Sequence, residues 1–499
     1  MNDTQFSTMN PEDFRFAQRT DKIRDKKPKT KPVGYFRDAW RRFKKNKASI
    51  VAQCIIVFLI LFSLIVPLFS QYDMSFSDPV YRNKIPKNSV LAHIGIATGV
   101  YEKELNTRAF EYYSAIGIGA SYDKATDTED NTQGIGSEYA AIRSIAGETI
   151  DRTVVKMDAY LEIGFRYMSV TQTEYDSILR FEEESGLQVI YPMVDIYSST
   201  VADKEDANYW FKVDDRGRAV TDANGNLEDL YMRDENGDIV YSVSRDVSGK
   251  TIRVLYYNYF IYQNGFEPEF LFGTNSVGQD IVIRLASGIR LSLLLAFGVS
   301  IINLLIGAIY GTIEGYYGGT TDLIMERIVD ILAGLPFIVV ATLFQMHLAN
   351  SAGIIPSLLF AFVLTGWIGT SRRVRTQFYR FKGQEYVLAA RTLGAGNLRL
   401  MFKHIFPNTL GTIITSSVLV IPNVIFSESM LSYLGIVNLS GTTMTSIGAM
   451  LSDGQAVLSS FPHVIFFPAL VISLLMISFN LFGNGLRDAF NPSLRGVDD

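Results

Sequence analysis

The chain has little of what metal and redox chemistry use. Its 499 residues include one cysteine, Cys54, and four scattered histidines, His93, His347, His404 and His463. A single thiol excludes an intrachain disulfide and a cysteine zinc site, and separated imidazoles give no metal cluster. Catalytic motifs are missing too. There is no Gly-x-Ser-x-Gly elbow and no His-Glu-x-x-His pair. Ser248-Gly-Lys-Thr251 ends like a phosphate loop, but Ser244 stands where the leading glycine is required, so it reads as hairpin residues. No cofactor is expected, and no enzymatic activity within this chain.

Charge is also scarce, at 19% of residues, and unevenly placed. Residues 1–47 carry a balance of +8, residues 71–283 one of −16, and the remainder +3. Such asymmetry fits a protein whose parts face opposite sides of a membrane. What is abundant is long uncharged apolar sequence. Ala48 to Phe69 has no charge over 22 residues, enough to cross roughly 30 Å of hydrocarbon, and it lies too far from the N-terminus for a cleaved signal. Further spans are expected near 291–313, 326–349, 354–371, 409–434 and 463–486, six in all.

Lys and Arg in the connections set the orientation. The basic N-terminus and the 372–408 connection, with Arg372, Arg373, Arg375, Arg380, Lys382, Arg391, Arg399 and Lys403, are expected in the cytoplasm. Both termini are then inside and residues 71–283 outside. Phe36, Trp40 and Phe43 recur at i, i+4, i+7 among basic residues, the pattern of a helix lying in the interface and held by apolar insertion and anionic lipid. A plain positive-inside anchor explains it equally well.

About two hundred residues between the first two spans are enough for one inserted α+β domain. Residues 153–157 and 188–194 are strand-like. Thr171 to Glu184 reads as a helix capped by Thr171 and stopped by Gly186. Three Asp/Asn-Gly cassettes, at 214–218, 222–226 and 234–238, predict an antiparallel meander. None has the spacing of a calcium loop. Thr251 to Tyr262 is expected as a long aromatic strand.

The most specific stretch is Gln384-Glu-Tyr-Val-Leu-Ala-Ala-Arg-Thr-Leu-Gly-Ala-Gly396, followed by His404-Ile-Phe-Pro-Asn408. Glu385 to Leu393 predicts a short helix with its acid in the first turn and Gly394 as a left-handed stop. Val387, Ala390 and Thr392-Leu393 give it an apolar side, and two small alanines let another protein come close, so it reads as a docking element.

This stretch resembles the Glu-Ala-Ala…Gly…Ile-x-x-Pro motif of the permease subunits of binding-protein-dependent ABC importers. Trp40 to Lys47, Phe272 to Asp280 and Glu428 to Gly435 are similar to the C-type permeases of oligopeptide and dipeptide importers. At Asn275 and Gln279 the chain departs from that pattern. The likeness covers roughly 35–70 and 270–495 and leaves out the insertion.

The resemblance implies an α-helical polytopic membrane protein with six transmembrane helices, one plus a five-helix MetI-like permease core, and an inserted extracytoplasmic α+β domain. The implied segments are a cytoplasmic 1–47, a first span at 48–70, an insertion at 71–270, a permease core at 271–490 and a tail at 491–499. Glu385, Ala389, Ala390, Gly394, Ile405 and Pro407 become ATPase-coupling residues. The implied partners are a second homologous permease, two cytoplasmic ABC ATPases and an extracytoplasmic binding protein, with a peptide as substrate and no nucleic acid. A nickel chelate, oligosaccharide or muropeptide is the alternative cargo. Glu428 and Asn423, polar residues within an apolar span, are candidates for the substrate pathway. A membrane receptor with an external sensor is the rival reading, and a secondary transporter would need a repeat that is not seen.

Overall fold

The computed structural model describes residues 35–106, 137–145, 148–195, 206–214, 220–246, 249–441 and 444–490. The turn cassette at 214–218 lies mostly outside them. The described residues begin with two helices, α1 (Tyr35–Lys45) and α2 (Lys47–Phe69), separated only by Asn46. The Asn46 side chain accepts the Ser49 N–H at 3.2 Å, capping α2.

A mixed segment follows, with two antiparallel sheets. Strands β1 (Val100–Asn106), β2 (Ser137–Ile145) and β3 (Glu148–Asp158) pair in the order β1-β3-β2. The second sheet begins with β4 (Phe165–Thr171), which leads directly into helix α3 (Gln172–Ser185) and then β5 (Ile190–Tyr191). It is completed by β6 (Ser242–Asp246) and β7 (Gly249–Leu255). The β7 strand is central, with β4 along one edge and β5 and β6 sharing the other. The Thr171 hydroxyl accepts the Glu174 N–H at 3.2 Å and Gly186 sits at φ 70°, so α3 starts and stops where the sequence predicts.

Turns at Asp222–Asn226 and Asp234–Asp238 close two-residue bridges at Thr221–Leu227 and Arg233–Ile239, forming a loose meander. Two strand expectations need correction. Residues 188–194 supply only the two-residue β5 and one isolated bridge at Val194. The aromatic run 251–262 leaves the sheet at Leu255 and becomes helix α4 (Tyr256–Asn264). Tyr256, Tyr259 and Phe260 recur at helical spacing and are buried, and Gly265 ends the helix at φ 77°.

The remainder is helical: α5 (Ile281–Tyr317), α6 (Gly319–Ala333), α7 (Phe337–Ala352), α8 (Ile354–Gly366), α9 (Ile368–Phe381), α10 (Glu385–Thr392), α11 (Phe406–Val418), α12 (Val420–Tyr433), α13 (Ile447–Ala456) and α14 (His463–Phe490). Residues 47–69, 281–317, 354–381, 397–433 and 463–490 form five helices long and apolar enough to cross a membrane. The expected span near 326–349 is two helices, α6 and α7, bent by 75°, and counts as a sixth only if the bent pair is one span. Pro336, which lacks an N–H and restricts Leu335, lies at the bend. The span expected at 291–313 begins ten residues earlier because Asp280 caps it, accepting the Val282 N–H at 3.1 Å.

Close packing fixes the long helices. Gly307, Gly311 and Gly315 form a seam on α5 against α9, where added Cβ atoms would lie 2.8, 2.3 and 2.8 Å from the carbonyl oxygens of Trp367, Ser371 and Arg375. The mixed segment is fastened to the start of α5. Lys84 and Thr274 exchange hydrogen bonds of 2.8 and 3.0 Å, and Asp78 N–H donates to the Gly278 carbonyl at 3.1 Å. Tyr72, Tyr81, Tyr256, Phe260 and Phe270 share one core with Ile283 of α5. Helix α1 differs from expectation: Phe43 is buried against Phe482 of α14 rather than left for lipid.

Candidate functional site

Helix α10 projects between α9 and the start of the 397–433 helix, and its faces divide sharply. Val387 is fully buried in a cluster with Val374, Phe378, Leu400 and Ile405, which plants the helix on its own bundle. Glu385, Leu388 and Ala389 are exposed and Ala390 is half-buried. The expected apolar side therefore splits: Val387 turns inward, while Leu388 and Leu393 face solvent, the latter 88% exposed. Gly394 adopts φ 86°, where a side chain is disfavoured, and the Ala395 N–H returns to the Ala390 carbonyl at 3.0 Å.

Ile405 is buried and Pro407 exposed at the start of α11. A π-helical stretch, Leu400–Ile405, precedes Pro407. It takes up the register that a proline without an N–H disturbs. The structure thus brings five of the six motif residues to the surface or edge of one protrusion, with Ile405 as its root.

Side chains tie this protrusion to the long helices. The Asn408 amide donates to the Tyr386 hydroxyl at 3.1 Å, Tyr316 of α5 donates to Asn397 at 2.8 Å, and Lys382 donates to the Gly315 carbonyl at 3.0 Å. Beside them lies an ion cluster that sequence reading missed. Arg375 grips Asp322 through two bonds of 2.5 and 2.8 Å and lies 3.4 Å from Glu314. Arg372 pairs with Glu326 and Asp330 at 3.2 and 3.0 Å. The signal was available, since Asp322, Glu326 and Asp330 recur every four residues on α6.

Glu428 and Asn423 do not meet. Glu428 is 1% exposed and accepts hydrogen bonds from Ser292 of α5 at 2.9 Å, from Ser432 at 3.0 Å and from Ser429 at 3.4 Å. Asn423 is exposed and donates to Leu419 of its own helix at 3.3 Å. No cluster of metal-binding side chains occurs among the described residues.

This geometry carries a recognisable pattern. Residues 303–496 match the binding-protein-dependent transport system inner membrane component, and residues 34–86 match the N-terminal transmembrane domain of oligopeptide transport permease C. The oligopeptide transport permease OppC of Bacillus subtilis is 43% identical over 224 residues, which is 45% of this chain and 72% of that protein. The chain belongs to this permease family.

The dipeptide transport permease DppC of Bacillus subtilis is 42% identical to the permease over 45% of this chain and 69% of that one. For OppC of Haemophilus influenzae the values are 39%, 45% and 70%. An inward-facing structure of the MetNI methionine ABC transporter overlaps with a TM-score of 0.34 at 15% identity, over 41% of this chain and 94% of that one. Residues 87–302 fall between the two matched stretches of the permease. The motif protrusion and the buried Glu428 both lie within the larger stretch.

Proposed function

We propose that the permease is one half of the membrane path of an ATP-driven ABC importer of oligopeptides or dipeptides, working with a second homologous permease, two ATPases and an extracytoplasmic binding protein. The cargo rests on the names of its relatives. The observation that carries the coupling role is α10, rooted by buried Val387 and ending at left-handed Gly394 while Leu388, Ala389 and Leu393 stay exposed. That is a rigid apolar knob suited to a groove in another protein.

In this reading Glu385, Ala389, Ala390 and Gly394 contact the ATPase, and Ile405 and Pro407 anchor the exit. Closure of the ATPases displaces α10 and, through Lys382, Tyr316 and the α5–α9 seam, biases the bundle between inward-open and outward-open states. The bent α6–α7 pair makes the sixth crossing, both termini lie in the cytoplasm, and residues 71–283 lie outside. The proposed segments are 1–47, 48–70, 71–270, 271–490 and 491–499. The insertion, joined firmly to α5, serves as a platform for the binding protein; uptake that survives excision of residues 90–265 removes that role. Asn423, on an exposed face of α12, lines the path, whereas Glu428 holds α12 to α5.

The test is purification of the tagged permease from its native membranes in mild detergent, beside a Gly394→Asp variant. A second permease and two ATPases recovered with the parent, and the ATPases lost from the variant, support the reading. Recovery alone, or with a signalling enzyme and unchanged by the substitution, returns the receptor reading.

A further inference from the structure

Helix α1 has two faces, and the bundle uses one. Ala39 and Phe43 are each 1% exposed and pack with Ala489 at the end of α14. The Phe43 ring meets Phe482 edge-on, with centroids 5.4 Å apart. Gly485 makes the room, since a Cβ there would lie 1.9 Å from the Ser49 hydroxyl and 3.3 Å from the Phe43 ring. With about 100° between successive residues, Arg37, Arg41 and Lys44 fall within roughly 60° of one another on the opposite side. All three are exposed. Arg42, on the flank, is held by Asp38 at 3.1 Å and stands apart from that stripe.

The packing also fixes the depth of α1. Helix α14 has 28 residues. That is about 42 Å of helix against roughly 30 Å of hydrocarbon. Its last turns, which carry Phe482, Gly485, Arg487, Asp488 and Ala489, therefore reach the headgroup layer. Only Asn46 separates the end of α1 from the start of α2, so α1 has no linker by which to leave that layer. Trp40, 44% exposed at the border of the two faces, stacks on Phe43 at 5.5 Å with Lys44 Nζ 5.5 Å from its ring. Tryptophan favours this depth because its ring is apolar and its N–H polar.

We propose that the Arg37–Arg41–Lys44 stripe is a binding surface for anionic phospholipid headgroups. Three cations at headgroup depth, facing away from the protein, meet phosphate in the surrounding leaflet, while Ala39 and Phe43 fasten the other side to the last span. Lipid then acts as a clamp on the contact between α1 and α14. The proposal does not depend on which solute the importer carries.

The test uses the purified transporter with its partner subunits, in nanodiscs of phosphatidylcholine with or without phosphatidylglycerol. The variant is Arg37→Gln/Arg41→Gln/Lys44→Gln, three exposed positions whose change leaves the core intact. Each surface cation contributes about fivefold in affinity for an anionic leaflet, so the triple variant should lose up to about a hundredfold at low salt. The expected result is phosphatidylglycerol enriched around the parent by lipid mass spectrometry, with a raised Tm, and both effects lost in the variant. Inorganic phosphate added to phosphatidylcholine discs should not reproduce the Tm rise; if it does, the surface is a free-anion site. Equal enrichment around parent and variant overturns the proposal. So does loss of the ATPases from the variant with lipid unchanged, which would make this a protein-docking face.

Discussion

Substituting alanine for Gly311 tests whether the α5–α9 seam carries motion from α10. The new Cβ would lie 2.3 Å from the Ser371 carbonyl oxygen and 2.9 Å from the Val374 Cβ. Ordinary contact begins near 3.4 Å, so the two helices must part by about 1 Å. Tilting gives little escape, because Gly307 and Gly315, one turn to either side, also lie close against Trp367 and Arg375, with 2.8 Å to each carbonyl oxygen from an added Cβ. Overpacking of this kind costs about 1–3 kcal/mol.

The same 1 Å stretches the Lys382 bond to the Gly315 carbonyl from 3.0 Å to a length at which a hydrogen bond is lost. The Arg375–Glu314 contact, already 3.4 Å, goes with it. Gly311→Ala should therefore lower the Tm of the purified transporter and weaken the stimulation of ATP hydrolysis by the binding protein in proteoliposomes. Gly298→Ala on the same helix is the control. Its Cβ meets nothing within 4 Å, and alanine favours the helix by up to about 1 kcal/mol, so it should be neutral or mildly stabilising. A Gly311→Ala transporter with parental Tm and parental stimulation would refute the reasoning.

Three further outcomes are expected. Glu428→Ala strips the acceptor from three serine hydroxyls, at about 1 kcal/mol each, and should lower Tm more than Glu428→Gln does; an unchanged Tm with uptake abolished would instead put Glu428 in the pathway. Burial pushes the Asp280 carboxyl up to about 7 from 3.8. The folded state then holds the proton that the unfolded state releases, so between about pH 4 and 7 this group's contribution makes stability fall as pH rises. Asp280→Asn keeps an N-cap acceptor and should flatten that fall, and parallel Tm–pH curves for parent and variant would exclude the effect. Gly278→Ala would place a Cβ 1.7 Å from the Asp78 carbonyl oxygen at φ 79°, so it should open the mixed segment's base to limited proteolysis while leaving 397–433 protected.

Local patterns carried much of this in the sequence. Uncharged apolar length locates the long helices, because a bilayer demands it. Thr171, Gly186 and Gly394 mark helix ends through hydrogen bonds and backbone angles that each residue type supplies on its own. The Glu385–Gly394 stretch carries the family's motif in its local residue order and needs no tertiary contact to be read. Where local signals were degenerate, they misled. Tyr256 to Tyr262 is aromatic enough for a strand and periodic enough for a helix, and packing on Tyr81 and Phe270 decides for the helix.

Partners far apart in sequence were beyond any local pattern. Arg375 and Asp322 are 53 residues apart, Ser292 and Glu428 are 136 apart, and Phe43 and Phe482 lie near opposite ends of the chain. Composition set which segments leave water, since transfer free energy belongs to each residue separately. Which face of each helix meets protein, and so that Phe43 packs on Phe482 and Glu428 meets Ser292, was decided only by packing, because that depends on where another helix happens to lie.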